Sequence, residues 1–202
     1  MAAASKRSVA PVAARRAYGE LDRTEVVAAL GELARRVGAQ RVTMRELAAE
    51  LGAAAPSVYY HVPGKQAALD LLGASVLADI PTPPEGRWDL RLMELYCTAR
   101  EVILAVPGVA GILQTSGQSE PARRLDALSR SLLTEAGLAK TDVAATHAVL
   151  YTYLLGSVSL EEPRRSTGAV RGKRQAANRF RAGMQVIIAG VKAITEDRAE
   201  QR

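Results

Sequence analysis

The apolar residues of this 202-residue chain recur every three or four positions along most of its length. No segment alternates apolar and polar residues for long enough to form a half-buried strand. Helical spacing collects apolar side chains on one side of each helix, and helices must then pack on helices to bury them. The apolar fraction of 48% and the charged fraction of 24% are ordinary for a globular protein and exclude a largely disordered one. The sequence therefore predicts an all-α fold.

Residues 21–65 contain the start and stop signals of three short helices. The first two each have a capping box at the start and a glycine at the end, and the third has a proline in its first turn. These signals are Asp22, Glu25 and Gly38, then Thr43, Glu46 and Gly52, then Pro56 and Pro63. The last two helices, joined at residues 52–54, have the length and spacing of a helix-turn-helix.

The rest of the chain is also divided by turn signals. A helix follows Lys65 and ends before the proline-rich segment 81–86. Further helices are predicted at about 88–105, 108–114, 121–136, 142–160 and 175–196. Segment 161–174, rich in Pro, Gly, Ser and Arg, is predicted to be a mobile loop. We divide the chain into a disordered basic arm (residues 1–20), a headpiece (residues 21–65) and a body (residues 66–202).

The charge of the chain is concentrated near its N-terminus. Residues 1–65 carry ten basic and six acidic residues, which is +4 of the total charge of +6. A nucleic acid would therefore bind this third of the chain. A single cysteine, Cys97, excludes a disulfide framework, and two histidines leave little material for a metal site. We expect no metal and no cofactor.

Residues 143–160 lack charged side chains and just reach the length of a membrane span. Because this segment also contains hydroxyl, imidazole and phenol groups, its hydropathy is modest. We interpret it as a helix buried in a protein interface rather than in a bilayer.

The segment from Thr43 to Lys65 reads TMRELAAELGAAAPSVYYHVPGK. It closely resembles the tetracycline-repressor (TetR) family of bacterial regulators, whose hallmarks are a capped support helix, a Leu-Gly turn and a Ser/Thr-x-Tyr-x-His recognition helix. The body resembles the tetracycline-repressor-like branch of this family at residues 77–81, Trp88, Leu155-Gly156, Phe180 and Gly183. The resemblance implies a homodimeric DNA-binding repressor that reads a palindromic operator and is released by a small molecule.

By this resemblance, ten headpiece residues are expected to contact DNA. They are Arg41, Thr43, Arg45, Ala55, Pro56, Ser57, Tyr59, Tyr60, His61 and Lys65. Arg45 can read guanine O6 and N7 together, although it could also be a solvated surface charge. Tyr59 could instead be bonded within the headpiece. Successive helical side chains point about 100° apart, so at least one of the two tyrosines is exposed.

One position departs from the family pattern. Ala54 stands where a polar residue usually caps the third helix, and losing such a cap costs about 1 kcal/mol. Packing must therefore hold this helix in place. Because alanines supply no hydrogen bonds to bases, direct readout should be sparse.

The body is expected to carry a dimer interface and a ligand pocket. Two apolar stripes suit a four-helix dimer interface, or alternatively the core of the subunit itself: Leu150, Leu154 and Val158, with Phe180, Met184, Ile187 and Val191. The candidate pocket residues, each of which could also be ordinary core or surface, are Trp88, Met93, Tyr96, Arg100, His147 and Tyr151. Tetracycline is not expected, because residues 106–114 lack the histidine that coordinates the drug-bound magnesium in that branch.

Two other functions remain open. One is a ligand-independent DNA-binding regulator whose pocket is vestigial or structurally filled. The other is a helical enzyme or carrier, which we disfavour because no nucleophile, carboxylate-pair, phosphate-loop or metal motif is apparent. A regulator of bacterial transcription would be cytoplasmic and would not enter a membrane.

Overall fold

The computed structural model of the chain describes residues 21–115, 119–165 and 170–200. These residues form nine α-helices, a 3₁₀ turn and no β-strand, which confirms the predicted all-α class. The helices are α1 (Arg23–Val37), α2 (Met44–Glu50), α3 (Ala55–His61), α4 (Lys65–Ala78), α5 (Trp88–Leu104), α6 (Val109–Leu113), α7 (Glu120–Glu135), α8 (Lys140–Arg165) and α9 (Val170–Glu200), with the 3₁₀ turn at Ala39–Arg41. The predicted basic arm lies outside the described residues.

The headpiece is a three-helix unit built around α1. Both predicted capping boxes are present, one at Asp22 and one at Thr43. A salt bridge of 2.6 Å joins Arg36 on α1 to Glu50 at the end of α2. As predicted, Ala54 gives α3 no side-chain cap, and α3 is instead anchored by Val58, which is completely buried.

Helix α4 connects the headpiece to the body. It begins at Lys65, shortly after the end of α3 in the chain, and its end packs against α5 and α7. A second connection is made by the backbone, where the amide of Ala39 donates to the carbonyl of Pro107 over 2.7 Å. The headpiece is therefore attached to the body at two separate points.

Helices α8 and α9 are longer than the sequence predicted. Residues 161–165 continue α8 and residues 170–174 begin α9, so most of the predicted loop is helical. The end of α8 is held by two carboxylates that make interior contacts. Glu161 pairs with the buried Arg100 on α5, and Glu162 accepts the amide of Gly108 over 3.1 Å. Local composition could not predict these contacts, because Arg100 and Gly108 are distant in the chain from Glu161 and Glu162.

The stripes predicted to form the dimer interface lie inside the subunit. Leu150, Val158 and Met184 are completely buried within one chain, and only Ile187 of the seven residues is partly exposed. These side chains pack α8 and α9 against the rest of the body, as the alternative interpretation held. The assignment of these residues to a dimer interface is therefore corrected: periodicity locates a buried side of a helix, but it does not identify what covers that side.

Residues 140–162 of α8 are long and apolar enough to cross a membrane by length and composition alone. Within this segment, Leu150, Leu154 and Val158 are buried against other helices of the body, whereas Val149 and Leu160 are exposed. A helix in a protein core passes the same test of length and composition, so this feature by itself is weak evidence for a membrane span.

Candidate nucleic-acid interface and ligand cavity

The outer surface of α3 presents two neighbouring aromatic side chains. Tyr60 is 74% exposed and Tyr59 is 48% exposed, although large aromatic residues are usually mostly buried. The ring of His61 lies edge-on to the ring of Tyr60, with 5.3 Å between the centroids. Arg45 on the neighbouring helix α2 is exposed, and no described residue forms an ion pair with it. This surface combines aromatic, imidazole and guanidinium groups, which suit contacts to phosphates and base edges.

The ten residues predicted to contact DNA do not all lie on this surface. His61 is half-buried. Eight of the ten are exposed, namely Arg41, Thr43, Arg45, Ala55, Pro56, Tyr59, Tyr60 and Lys65. Ser57 is only 6% exposed and faces the headpiece interior.

Two of these residues also hold the headpiece together. The Lys65 ammonium donates to the carbonyl of Gln40 over 2.8 Å, which ties the start of α4 to the 3₁₀ turn. An ammonium has three protons, so Lys65 can make this bond and still donate to a phosphate. The hydroxyl of Thr43 caps α2 and donates to Glu46 over 2.8 Å. Its proton is therefore engaged within the headpiece.

A cavity of about 250 Å³ lies between five helices of the body. Its walls are mainly leucine, isoleucine and alanine side chains, with a few polar groups on α5, α7 and α8. The lining residues are Leu77, Ile80, Leu95, Tyr96, Ala99, Ile103, Leu113, Ala122, Leu125, Asp126, Ser129, His147, Tyr151, Leu154 and Leu155. A mostly apolar cavity with a small number of convergent polar groups is typical of a small-molecule site.

Four of the five polar residues that line the cavity form one hydrogen-bonded chain, whereas the hydroxyl of the fifth, Tyr151, donates to the carbonyl of Leu113 over 2.8 Å. The Tyr96 hydroxyl lies 2.9 Å from Ser129 Oγ, which lies 3.2 Å from His147 Nδ1. On its other side, His147 Nε2 lies 2.7 Å from Asp126 Oδ1. Arg130 Nε donates to the second oxygen of Asp126 over 2.9 Å. Four side chains from three helices are thereby aligned along one wall.

Burial controls the protonation of this chain. It raises the pKa of Tyr96 to about 12, so that the phenol keeps its proton at neutral pH. It also lowers the pKa of His147, and this effect exceeds the opposing attraction of Asp126. At neutral pH the chain therefore contains a neutral phenol and a neutral imidazole.

Three of the six predicted pocket residues line this cavity, namely Tyr96, His147 and Tyr151. The other three do not, and their placement in the pocket is corrected. Trp88 lies outside the cavity near Lys192, whose Nζ is 5.9 Å from the ring centroid. Met93 accepts a hydrogen bond from Cys97 within the same helix.

Arg100 is buried, but its charge is neutralised by protein groups rather than directed at the cavity. Its guanidinium pairs with Glu161 and Glu101 and lies 5.6 Å from the centroid of the Phe180 ring. This arrangement joins α5 to α8 and α9. The sequence analysis placed Arg100 in the pocket because it could not show that Glu161 and Phe180, which are distant in the chain, contact the guanidinium.

Two polar residues of the cavity were missed by sequence analysis. Ser129 is 1% exposed and lies one turn after Leu125 and one turn before Leu132. A serine on the apolar stripe of α7 was therefore the available signal. Asp126 lies one turn before Ser129, which allows both side chains to contact His147 on the neighbouring helix. Across the described parts of the chain, no three His, Cys, Asp or Glu side chains are arranged to hold a metal ion.

Comparison with known proteins identifies the family. Residues 26–70 match the model for bacterial regulatory proteins of the tetR family, and residues 80–178 match the tetracyclin repressor-like C-terminal domain. An HTH-type transcriptional regulator of Saccharopolyspora erythraea is 34% identical over 148 residues, which cover 70% of this chain and 61% of that protein.

Two solved structures are similar over most of their length. A TetR variant of Acinetobacter baumannii AYE in complex with minocycline has a TM-score of 0.76 and 26% identity, covering 87% of this chain and 99% of that one. BioQ with its double-stranded DNA operator has a TM-score of 0.73 and 26% identity, covering 86% and 99%. Together with the helix-turn-helix and the cavity, these matches show that the chain belongs to the TetR family of DNA-binding transcriptional regulators, which are not enzymes.

Proposed function

We propose that the chain is a homodimeric, cytoplasmic repressor that binds a palindromic operator and is released from it by a small molecule. The observation that carries this proposal is the exposed aromatic surface of α3 beside Arg45. Tyr59 and Tyr60 lie on the outer side of α3, whereas α3 is anchored in the headpiece by the buried Val58. A surface of this kind suits the major groove, which is wide enough to admit one helix.

The roles within this interface follow from the chemistry of each side chain. Arg45 would read a guanine, and Ala55 and Pro56 would contact base edges and thymine methyl groups. Tyr59, Tyr60 and His61 would contact the sugar-phosphate backbone, together with Lys65 and Arg41. We leave Ser57 out of the contact set because it is buried.

Dimerisation would use the outer surfaces of α8 and α9. Five large hydrophobic residues are exposed on these two helices, and the two most exposed are Leu160 at 65% and Val186 at 73%. Leu160 and Val186 border a groove of about 900 Å³ between the two helices. Two subunits joined here would form the four-helix interface expected from the sequence, with different residues, and would present two α3 helices about 34–36 Å apart to successive major grooves.

Release by a ligand would proceed through α4. Leu77 near the end of this helix, and Ile80 just beyond it, line the cavity, while Lys65 at its start contacts the 3₁₀ turn of the headpiece. A molecule that displaces the end of α4 would change the separation of the two headpieces. The required coupling is about 1–3 kcal/mol, which corresponds to a five- to 150-fold loss of operator affinity.

The proposal is tested by sequencing the DNA fragments that the purified protein retains from a randomised pool at low ionic strength. We expect a palindrome whose half-sites are about one helical turn apart. In a transcription assay, the protein should decrease transcription from a promoter that carries this palindrome. Retention of fragments without a shared palindrome, or of no DNA at all, would contradict the proposal.

A ligand-independent regulator is the second candidate. It would have the same DNA interface, and its cavity would be filled permanently or serve no purpose. The polar groups from Tyr96 to Asp126 favour a ligand site over this alternative, because a few convergent polar groups in a mostly apolar cavity are typical of a small-molecule site. The two candidates differ in whether any molecule that enters the cavity changes operator affinity.

A further inference from the structure

The polar chain in the cavity has a direction, which is set by the carboxylate at its end. Asp126 is an acceptor, so His147 must carry its proton on Nε2 to form the 2.7 Å contact. In the neutral imidazole, Nδ1 is then a bare acceptor, and the Ser129 hydroxyl donates to it over 3.2 Å. Since Ser129 has only one proton, the contact of 2.9 Å with Tyr96 requires the tyrosine to donate.

The protons of this chain are therefore all directed towards Asp126. The Tyr96 hydroxyl uses its only proton in the hydrogen bond to Ser129, so it can only accept a further hydrogen bond. Both Tyr96 and Ser129 line the cavity. The cavity consequently offers lone pairs to its occupant at this wall, and a ligand that only accepts hydrogen bonds would leave them unsatisfied.

The charge of the cavity restricts the ligand in a second way. Among the lining residues, Asp126 is the only ionised group, since His147 is neutral. An anion would face a carboxylate and no lining cation. A cation would find Asp126 already engaged by His147 and by Arg130. A neutral molecule meets neither obstacle.

The volume restricts the size of the ligand. A cavity of about 150 Å³ lined by apolar side chains holds one benzene molecule. The 250 Å³ available here therefore suits a body about the size of two fused rings. The many leucine and isoleucine walls favour an apolar body of this size.

We propose that the effector is a neutral, compact and mostly apolar alcohol or phenol, whose hydroxyl group donates a hydrogen bond to the Tyr96–Ser129 wall of the cavity. This inference rests on the proposed function, since it names the chemical class of the molecule that would act there. It goes beyond that function because it follows from the orientation of four side chains, and it excludes carboxylates, amines and molecules that only accept hydrogen bonds as the best ligands.

The test uses four naphthalene probes that share one apolar body. Calorimetry with the full chain in the absence of DNA measures their binding at neutral pH. We expect 2-naphthol to bind best and 2-methoxynaphthalene, which lacks a donor, to bind about fivefold more weakly. Naphthalene-2-carboxylate should bind at least about 100-fold more weakly, and 2-(aminomethyl)naphthalene should bind no more tightly than 2-naphthol.

A substitution tests the direction of the chain itself. In Ser129→Ala, Tyr96 no longer has an acceptor at Ser129, so its proton becomes available to the ligand. The preference should then shift at least fivefold towards 2-methoxynaphthalene. Ser131→Ala removes a hydroxyl from the exposed side of the same helix and should leave the preference unchanged.

The inference is overturned if the carboxylate or the amine binds more tightly than 2-naphthol, if the methoxy probe binds equally well, or if no probe binds. It is also overturned if Ser129→Ala leaves the order of affinities unchanged. Operator binding is measured separately, on protein without any probe. A protein that binds its operator and none of the probes refutes the ligand class alone, whereas a protein that binds probes and no DNA refutes the proposed function.

Discussion

Arg124 on α7 donates to the carbonyl oxygen of Ile80, just beyond the end of α4, over 2.8 Å. The same guanidinium reaches the carbonyl of Leu77 at 3.5 Å and the hydroxyl of Thr82 at 3.3 Å. Cationic side chains stabilise the unpaired carbonyls at the end of a helix. Because Leu77 and Ile80 also line the cavity, Arg124 holds the part of the body through which a ligand would act on α4.

Replacing Arg124 should reduce the coupling between the ligand and the operator. Arg124→Ala removes the hydrogen bonds that join the end of α4 to α7, so a ligand in the cavity should displace α4 less effectively. We expect 2-naphthol to bind with little change, while its effect on operator affinity falls below the five- to 150-fold range. Fluorescence anisotropy with and without the probe measures this, with Arg123→Ala as the matched control. Coupling of wild-type strength in Arg124→Ala would show that the signal takes another route.

Replacing Arg45 should relax sequence preference. Loss of one bidentate contact to a guanine costs about 1–3 kcal/mol and removes discrimination at one base pair of each half-site. Binding to the operator and to single-base variants of it measures both effects. The exposed Arg123 in the body provides a control for loss of positive charge. If Arg45→Ala retains both affinity and preference, Arg45 is a solvated surface charge.

A carboxylate at Val186 should prevent dimerisation. This side chain is 73% exposed on α9, so Val186→Glu leaves the subunit folded but places an unpaired charge in the proposed interface. We expect a monomer in sedimentation velocity at micromolar concentration. Leu90→Glu, at a position that is 63% exposed on α5, should remain a dimer. A dimeric Val186→Glu variant would place the interface elsewhere.

Breaking the buried ion pair should strongly destabilise the body. In Arg100→Met the Glu161 carboxylate loses the guanidinium against which it packs, and removal of one member of such a pair costs about 3–5 kcal/mol. Adding Glu161→Gln should recover part of this loss, because the buried carboxylate is then neutral. Urea unfolding measures both variants. A loss below about 1 kcal/mol in the single variant would contradict a structural role for this pair.

Acid should destabilise the wild-type chain through His147. Its pKa is lowered in the folded chain, mainly by burial, so the unfolded chain binds a proton that the folded chain does not. Stability therefore falls as the pH decreases from about 6.5 to the lowered folded-state pKa, below which the loss is complete. Thermal unfolding of His147→Gln should depend less on pH across this window. Identical pH profiles for the two proteins would show that His147 makes no contribution.

The headpiece was largely predictable because its signals are local. A capping box, a terminal glycine or an N-terminal proline acts within one helical turn, so Thr43, Gly52 and Pro56 could be interpreted without knowledge of the fold. The exposure of Tyr60 followed from helical geometry and from the adjacent tyrosine. Even the missing cap at Ala54 was visible in the sequence.

The body was less predictable because its important contacts join distant residues. Periodicity correctly identified buried positions such as Leu150 and Met184, but it attributed them to a second subunit. Close packing of α8 on α9 explains the error: a Cβ atom at Gly183 would lie 1.9 Å from the hydroxyl of Tyr153. Only the fold shows that these helices cover each other and leave Val186 exposed.

The sequence by itself determined the helical class, the helix-turn-helix and the surface that would meet DNA, since each depends on residues within a few turns of one another. Tertiary structure alone decided which polar residues share the cavity. Ser129 and His147 are ordinary residues on separate helices until the packing of α7 on α8 brings their side chains within 3.2 Å. The direction of their hydrogen bonds depends on the burial of His147 and on its contact with Asp126, and the burial and the contact exist only in the folded chain.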